Sequence, residues 1–258
     1  MRLAAEMTGD GPPVLLVHGF PDSGRVWRHQ VAPLAEAGFR VVVPDLRGFG
    51  ASPRPEGVEH YRVTEVAGDL LELIDEPFHL VGHDWGAGIA WVIAALQPER
   101  VRSLAAFSVG HPAAAYPRSI ESREKAWYQL LFLFEEAEAL LLKDDAALFR
   151  QWLEGAPDVD HYVEEMSRPG ALTAALGLYR ANLHPRRELE PRPLPPVAAP
   201  TLGVWSTGDR YLTEQAMRRS GEHVTGPWRY ERLEDAGHWL QLDQPERVTG
   251  LLLEHLRS

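Results

Sequence analysis

The segment Gly82-His83-Asp84-Trp85-Gly86 sets one carboxylate between two glycines, where an apolar run gives way to a helical pattern. A strand that turns at once into a helix needs small flanking residues, and it lifts the middle side chain above the turn. An aspartate held there is a candidate nucleophile. Attack on an ester would give a labile anhydride. Attack on a saturated carbon displaces an alkoxide or a halide and leaves an alkyl ester that water can hydrolyse. Taken alone, Asp84 also reads as an ordinary helix N-cap. Two later segments weigh against that reading: Ser206-Thr207-Gly208-Asp209 and Asp235-Ala236-Gly237-His238-Trp239 each follow an apolar run. Nucleophile, acid and then histidine is a chain order that assembles a catalytic set on one sheet edge. His238 is the expected base and Asp209 the group that orients it. His18-Gly19-Phe20-Pro21 adds a fourth piece. Backbone N–H groups of Phe20 and Trp85 would converge on one oxygen of Asp84 and stabilise the anion formed when water attacks the ester.

Positioning these groups requires a sheet. Short apolar runs at Val14–Val17, Arg40–Val43, Phe78–Val81, Leu104–Val109, Leu202–Trp205 and Trp228–Leu233 read as strands, most of them buried on both faces. Helical spacing is expected over Trp27–Ala37, Ala87–Gln97 and Pro245–Leu256. Strands alternating with helices mean crossover connections and a mostly parallel sheet flanked by helices, an α/β fold. From about residue 113 to 195 the alternation stops, and helical stretches carrying Trp127, Leu130, Leu131 and Phe134 replace it. Turn-rich stretches such as Lys143-Asp144-Asp145 interrupt them. Pro191 to Pro200 holds five prolines and reads as a stiff connector. The chain therefore divides into an α/β core of residues 1–112 and 199–258 and a helical insertion of residues 113–198.

Composition narrows the functions. At 258 residues and 45% hydrophobic, the chain can bury one substantial core. A net charge of −11 argues against nucleic acid or an anionic membrane as partner. Cysteine is absent, so thiol nucleophiles and disulfides are excluded. The N-terminus shows no charged-then-apolar leader and no run is long enough to span a bilayer, so a cytoplasmic protein is expected. No His/Asp/Glu spacing suggests a metal and no Gly-rich phosphate loop suggests a nucleotide, so neither metal nor cofactor is expected. A homodimer stays open.

With these residues in hand, the chain resembles the α/β-hydrolase superfamily, and within it the epoxide hydrolases, the aspartate-nucleophile branch related to haloalkane and fluoroacetate dehalogenases. The resemblance rests on His18-Gly19-Phe20-Pro21, Asp45-Leu46-Arg47-Gly48-Phe49-Gly50, Gly82-His83-Asp84-Trp85-Gly86, Gly208-Asp209 and Gly237-His238-Trp239. The insertion falls where that family has its cap, or lid. Because only about ten residues precede Gly11, the family's first edge strand is expected to be missing. The resemblance implies two cap tyrosines that hold and protonate the epoxide oxygen, and Tyr128 and Tyr179 match them. Each also reads as a packing residue, and Trp127 beside Tyr128 blurs which of the two faces the site. Trp85, Trp127, Phe132 and Trp239 are the expected substrate contacts. With Phe134 the cap aromatics imply an apolar pocket, so the substrate class is a hydrophobic or aromatic epoxide, with water as co-substrate. Phe20 stands where haloalkane dehalogenases often carry asparagine. Trp85 and Gly88 stand where fluoroacetate dehalogenases place arginines. Halide chemistry is thus the alternative, and a non-catalytic ligand-binding homologue is weaker because the Asp84, Asp209 and His238 set is intact.

Overall fold

A computed structural model describes residues 1–115, 118–183 and 193–257. Seven strands form one sheet: β1 (Ala5–Thr8), β2 (Pro13–Val17), β3 (Arg40–Pro44), β4 (Phe78–His83), β5 (Val101–Phe107), β6 (Thr201–Ser206) and β7 (Trp228–Leu233). Their order is β1-β3-β2-β4-β5-β6-β7. Every residue of β2 and of β6 is buried, the burial expected of strands covered by helices on both faces. All neighbouring strands are parallel except β1, which runs antiparallel to β3 with Ala5 opposite Pro44. The reading of the sequence placed its first strand at Val14, and β1 adds one before it. The few residues before Gly11 are enough for one short antiparallel strand, which needs no crossover to reach its place.

Among the described residues the helices are, in chain order, α1 (Val31–Glu36), α2 (Val63–Leu71), α3 (Trp85–Leu96), α4 (Ile120–Lys125), α5 (Trp127–Phe132), α6 (Ala137–Trp152), α7 (Val159–Met166), α8 (Ala171–Asn182), α9 (Glu214–Arg219), α10 (Leu240–Asp243) and α11 (Pro245–Leu256). The stretch expected as one helix over Trp27–Ala37 is split into a 3₁₀ turn at Gly24–Trp27 and the short α1. Pro33 has no N–H to donate backwards, so a helix begun at Trp27 cannot run through it. Helices α4 to α8 lie between β5 and β6 in the chain. Lys143 to Ala146 leave helical geometry inside α6, at the turn-rich stretch read from the sequence. Of the proline-rich connector, residues 184–192 lie outside the described residues, and 193–200 run without helix.

The chain order reverses direction across the sheet at β2, which has β3 on one side and β4 on the other. That switch point is where open α/β sheets leave a crevice beyond the carboxyl ends of their strands. Two loops there are pinned by polar side chains, one of them the buried Arg47. Arg47 bonds Asp69 of α2 at 2.6 Å and the carbonyl of Glu65 at 3.0 Å. Asp45 accepts the N–H groups of Gly24 and Ala51 at 2.8 and 2.9 Å. In the Asp45–Gly50 segment both of these side chains therefore hold backbone in place. Among the described residues, no helix is long and apolar enough to cross a membrane.

Candidate active site

Asp84 is the only residue between β4 and α3, and it adopts φ 53° and ψ −122°. A side chain in that region is strained, and such strain persists where packing over-determines it. A Cβ on Gly82 would strike the backbone of Gly86, and one on Gly86 would strike the carbonyls of Val17 and His18. Glycine at both positions lets the turn close against β2. Gly19 is bound by the same logic, since a Cβ there would collide with the side chain of Asp84. Asp84 as a whole residue is 9% exposed. The Phe20 N–H donates to its Oδ1 at 2.9 Å, and the Trp85 backbone N–H also bonds it. The Phe20–Pro21 peptide is cis.

Asp209 arrives from the loop after β6 and His238 from the loop after β7, the two strands beyond β5 in the sheet. His238 Nδ1 lies 3.0 Å from Asp209 Oδ2, and Nε2 lies 3.7 Å from Asp84 Oδ2. Asp209 uses its other oxygen to accept the N–H groups of Tyr211 and Leu212 at 2.8 and 3.0 Å. A carboxylate so engaged only accepts, so Nδ1 carries the proton and the Nε2 lone pair faces the nucleophile. Burial lowers the affinity of His238 for a proton, yet the charges of Asp209 and Asp84 outweigh it and raise its pKa above the ordinary histidine value. Burial raises Asp84 against the pull of His238 and the two amides.

The histidines beside these groups are structural. His18 Nδ1 donates to the Gly19 carbonyl at 2.9 Å while Nε2 accepts the Leu46 N–H at 2.9 Å, which joins the β2 and β3 loops. His83 Nε2 donates to the His238 carbonyl at 2.9 Å, and burial holds this ring well below the ordinary pKa, hence neutral.

Above the carboxylate lie rings from the insertion. Tyr128 of α5 and Tyr179 of α8 are both buried, with centroids 6.3 Å apart. Phe132 meets both edge-on at 5.3 and 4.9 Å, and Trp85 meets Tyr179 at 5.1 Å. Burial, joined by the charge of Asp84, pushes both phenols above their usual pKa, so both carry their protons. Neighbours on a helix point about 100° apart, so only one of Trp127 and Tyr128 can face inward. Tyr128 does. Trp127 is 50% exposed and Phe134 59% exposed, which corrects the placing of both rings in the apolar pocket around Asp84. Trp239 packs on His238 at 5.0 Å and donates its indole N–H to the buried Asp22 at 2.7 Å.

Three neighbours were not read from the sequence. Tyr211 stands edge-on to His238 at 5.1 Å, and its position two residues after Asp209 was the available clue. Asp22 follows Pro21 directly. Trp152, at the end of α6, meets Phe20, Tyr128 and Tyr211 at 5.8, 5.1 and 4.9 Å, and nothing in its local sequence announces this.

Comparison with known proteins identifies the family and the fold. The profile of the α/β hydrolase fold family matches residues 12–245. Epoxide hydrolase A of Mycobacterium tuberculosis is 34% identical, across 99% of this chain and 94% of its own. An AB hydrolase superfamily protein of Bacillus subtilis is 32% identical, across 100% and 94%. Among solved structures, an inhibitor complex of the Bacillus megaterium epoxide hydrolase superposes with a TM-score of 0.89 at 27% identity, covering 99% of this chain and 97% of that one. Epoxide hydrolase A of Mycobacterium thermoresistibile gives 0.78 at 30% identity, covering 99% and 95%.

Proposed function

The chain belongs to the α/β-hydrolase family and to its epoxide hydrolase branch, and on that premise we propose that it opens epoxides to vicinal diols through an ester on Asp84. The observation that carries the reading is the elbow carboxylate with its two oxygens in different surroundings. Oδ1 accepts the Phe20 N–H, while Oδ2 lies beyond hydrogen-bond reach of His238. In the proposed first step Oδ2 attacks an epoxide carbon, the carbon–oxygen bond breaks, and Tyr128 or Tyr179 gives its proton to the leaving oxygen. In the second, His238 takes a proton from water and the hydroxide adds to the Asp84 carbonyl carbon. The resulting oxyanion lies on the Phe20 and Trp85 amides. Collapse expels the diol oxygen, which takes its proton from His238. The re-formed Asp84 carboxylic acid returns its proton to the phenolate, by far the stronger base.

Electrostatics support this sequence. The charge of Asp84 contributes to the raised pKa of Tyr128, Tyr179 and His238. Alkylation removes that charge. The phenols then become better acids as the alkoxide forms, and His238 becomes neutral in time to act as base. Helices α4 to α8 would act as the cap, and the rings of Phe132, Trp85 and Trp239 support a hydrophobic or aromatic substrate. The acidic, cysteine-free composition supports a cytoplasmic setting with no nucleic-acid or membrane partner.

The test is a single turnover in isotopically labelled water with a styrene-oxide-like epoxide in excess enzyme. Label should enter the Asp84 carboxyl group and not the diol. Label in the diol would mean direct attack by water and would end the covalent reading.

A further inference from the structure

The carboxylate that orients His238 stands on a short turn, and the insertion bonds every residue of that turn. Asp209 Oδ1 gathers the N–H groups of Tyr211 and Leu212, so the turn closes around its own carboxylate. The carbonyls of Asp209 and Leu212 both accept from one cation, Nζ of Lys125 at the end of α4, at 2.6 and 3.2 Å. Tyr211 donates its hydroxyl to the carbonyl of Trp152, the last residue of α6, at 2.8 Å. Arg210 donates to the carbonyl of Glu154, two residues further on. The last two ties are made by side chains of the turn, whereas Lys125 holds its backbone. Aspartate has one carbon between backbone and carboxyl group, so a shift of the Asp209 backbone passes to Oδ2 almost undiminished. Oδ2 lies 3.0 Å from His238 Nδ1, and a drift of about 1 Å would take it out of hydrogen-bond range. Bonds from an ammonium to carbonyls are charge-assisted and stronger than neutral ones, which suits Lys125 to prevent that drift.

Resting on the reading of an ester on Asp84, we infer that Lys125 is a positioning residue for the hydrolytic half-reaction. By holding the Asp209 backbone it keeps Oδ2 on Nδ1–H, and the Nε2 lone pair of His238 stays aimed at the water that attacks the ester. Lys125 acts through Asp209 and transfers no proton itself. Ester formation uses Asp84 and the two phenols and does not call on Asp209. The insertion thus serves both steps, the first through Tyr128 and Tyr179 and the second through Lys125.

The experiment follows a single turnover of a styrene-oxide-like epoxide by rapid quench, reading ester formation and ester hydrolysis separately. Wild type, Lys125→Met, Lys125→Arg, Asp209→Asn and the Lys125→Met/Asp209→Asn double variant are measured as full chains. Lys125→Met should slow hydrolysis on the order of 10- to 100-fold and leave ester formation within about twofold of wild type. Lys125→Arg keeps cationic donors and should regain most of the hydrolysis. In the Asp209→Asn background Lys125→Met should cost little more, because the carboxylate it positions is already gone. If Lys125 served only to seat the insertion, Tyr128 and Tyr179 would be displaced and ester formation would slow at least as much as hydrolysis. That outcome would overturn the inference, as would full multiplicative loss in the double variant, no recovery in Lys125→Arg or wild-type hydrolysis in Lys125→Met. A wild type that releases diol without ever forming an ester would instead overturn the covalent reading on which the inference rests.

Discussion

Asp84 must be ionised to attack, and His238 must be neutral to activate water, so the two half-reactions respond differently to loss of the base. His238→Gln should still be alkylated and should accumulate the ester, visible by mass spectrometry as substrate mass on the peptide holding Asp84. An unmodified variant exposed to a substrate the wild type turns over would defeat the covalent mechanism. The pH dependence has the same origin. The pKa of His238 is raised above 6.5 mainly by Asp209, and protonation on the acid side removes the base. Ester hydrolysis should thus fail first as pH drops, while alkylation persists until Asp84 itself is protonated. Rapid-quench measurements across acid pH should show ester accumulating. Faster loss of alkylation than of hydrolysis would contradict the assignment. Tyr128→Phe and Tyr179→Phe each remove a proton donor and keep the ring. The double variant should lose ~10²–10⁴-fold in alkylation by an epoxide. An alkyl halide leaves without a proton and should suffer much less.

At the scale of elements, the site depends on turns that tolerate no extra atom and on loops tied by buried charge. Gly19→Ala would set a methyl group against the side chain of Asp84, so it should cut kcat severely with little change in Tm. Normal turnover would show that the loop can retreat. The Arg47–Asp69 pair is buried, with both side chains at or below 5% exposure. Asp69 also pairs with the N-terminal ammonium at 2.5 Å, so Arg47→Met leaves it one cationic partner and should cost less than the ~3–5 kcal/mol of a wholly unpaired buried charge in a denaturant titration. Elements whose apolar residues form unbroken runs, such as β2 and β4, were legible because burial on both faces writes itself into consecutive positions. Helix α2 has Val63, Val66, Ala67 and Leu70 at helical spacing, yet the sequence reading passed it over. Its amphipathic stripe is shorter and less apolar than a buried strand. The expected long helix before Gly38 failed for the opposite reason, since its apolar spacing was right and Pro33 forbade it.

Across the whole molecule, the contact between core and insertion contains a carboxylic acid in an apolar setting. Burial pushes Asp22 from 3.8 up to about 7, against the pull of the Trp239 indole and the neighbouring Tyr162 hydroxyl. The folded state therefore keeps this proton where the unfolded chain has released it. For an acid raised in this way, stability is greatest below the unfolded pKa and is lost as pH rises toward the folded one. Asp22→Asn cannot ionise, so its stability relative to wild type should improve steadily across that interval. Denaturant titrations at a series of pH values check this, and a constant difference would show that Asp22 does not change its ionisation on folding.

The identity and order of Asp84, Asp209 and His238, the glycines around them and the α/β class were determined by the sequence alone, because each follows from local chemistry. A strand-to-helix turn needs glycine, and a sheet buried on both faces needs apolar runs. Which side of α5 faces inward depends on how that helix packs, so only the tertiary structure could choose Tyr128 over Trp127 and turn Phe134 out to solvent. The same holds for Trp152 and for the hold of Lys125 on the Asp209 turn. Those two segments lie more than eighty residues apart in the chain, Lys125 in α4 and Asp209 after β6. No local pattern marks them as neighbours, because that proximity is created by the packing of the insertion on the core.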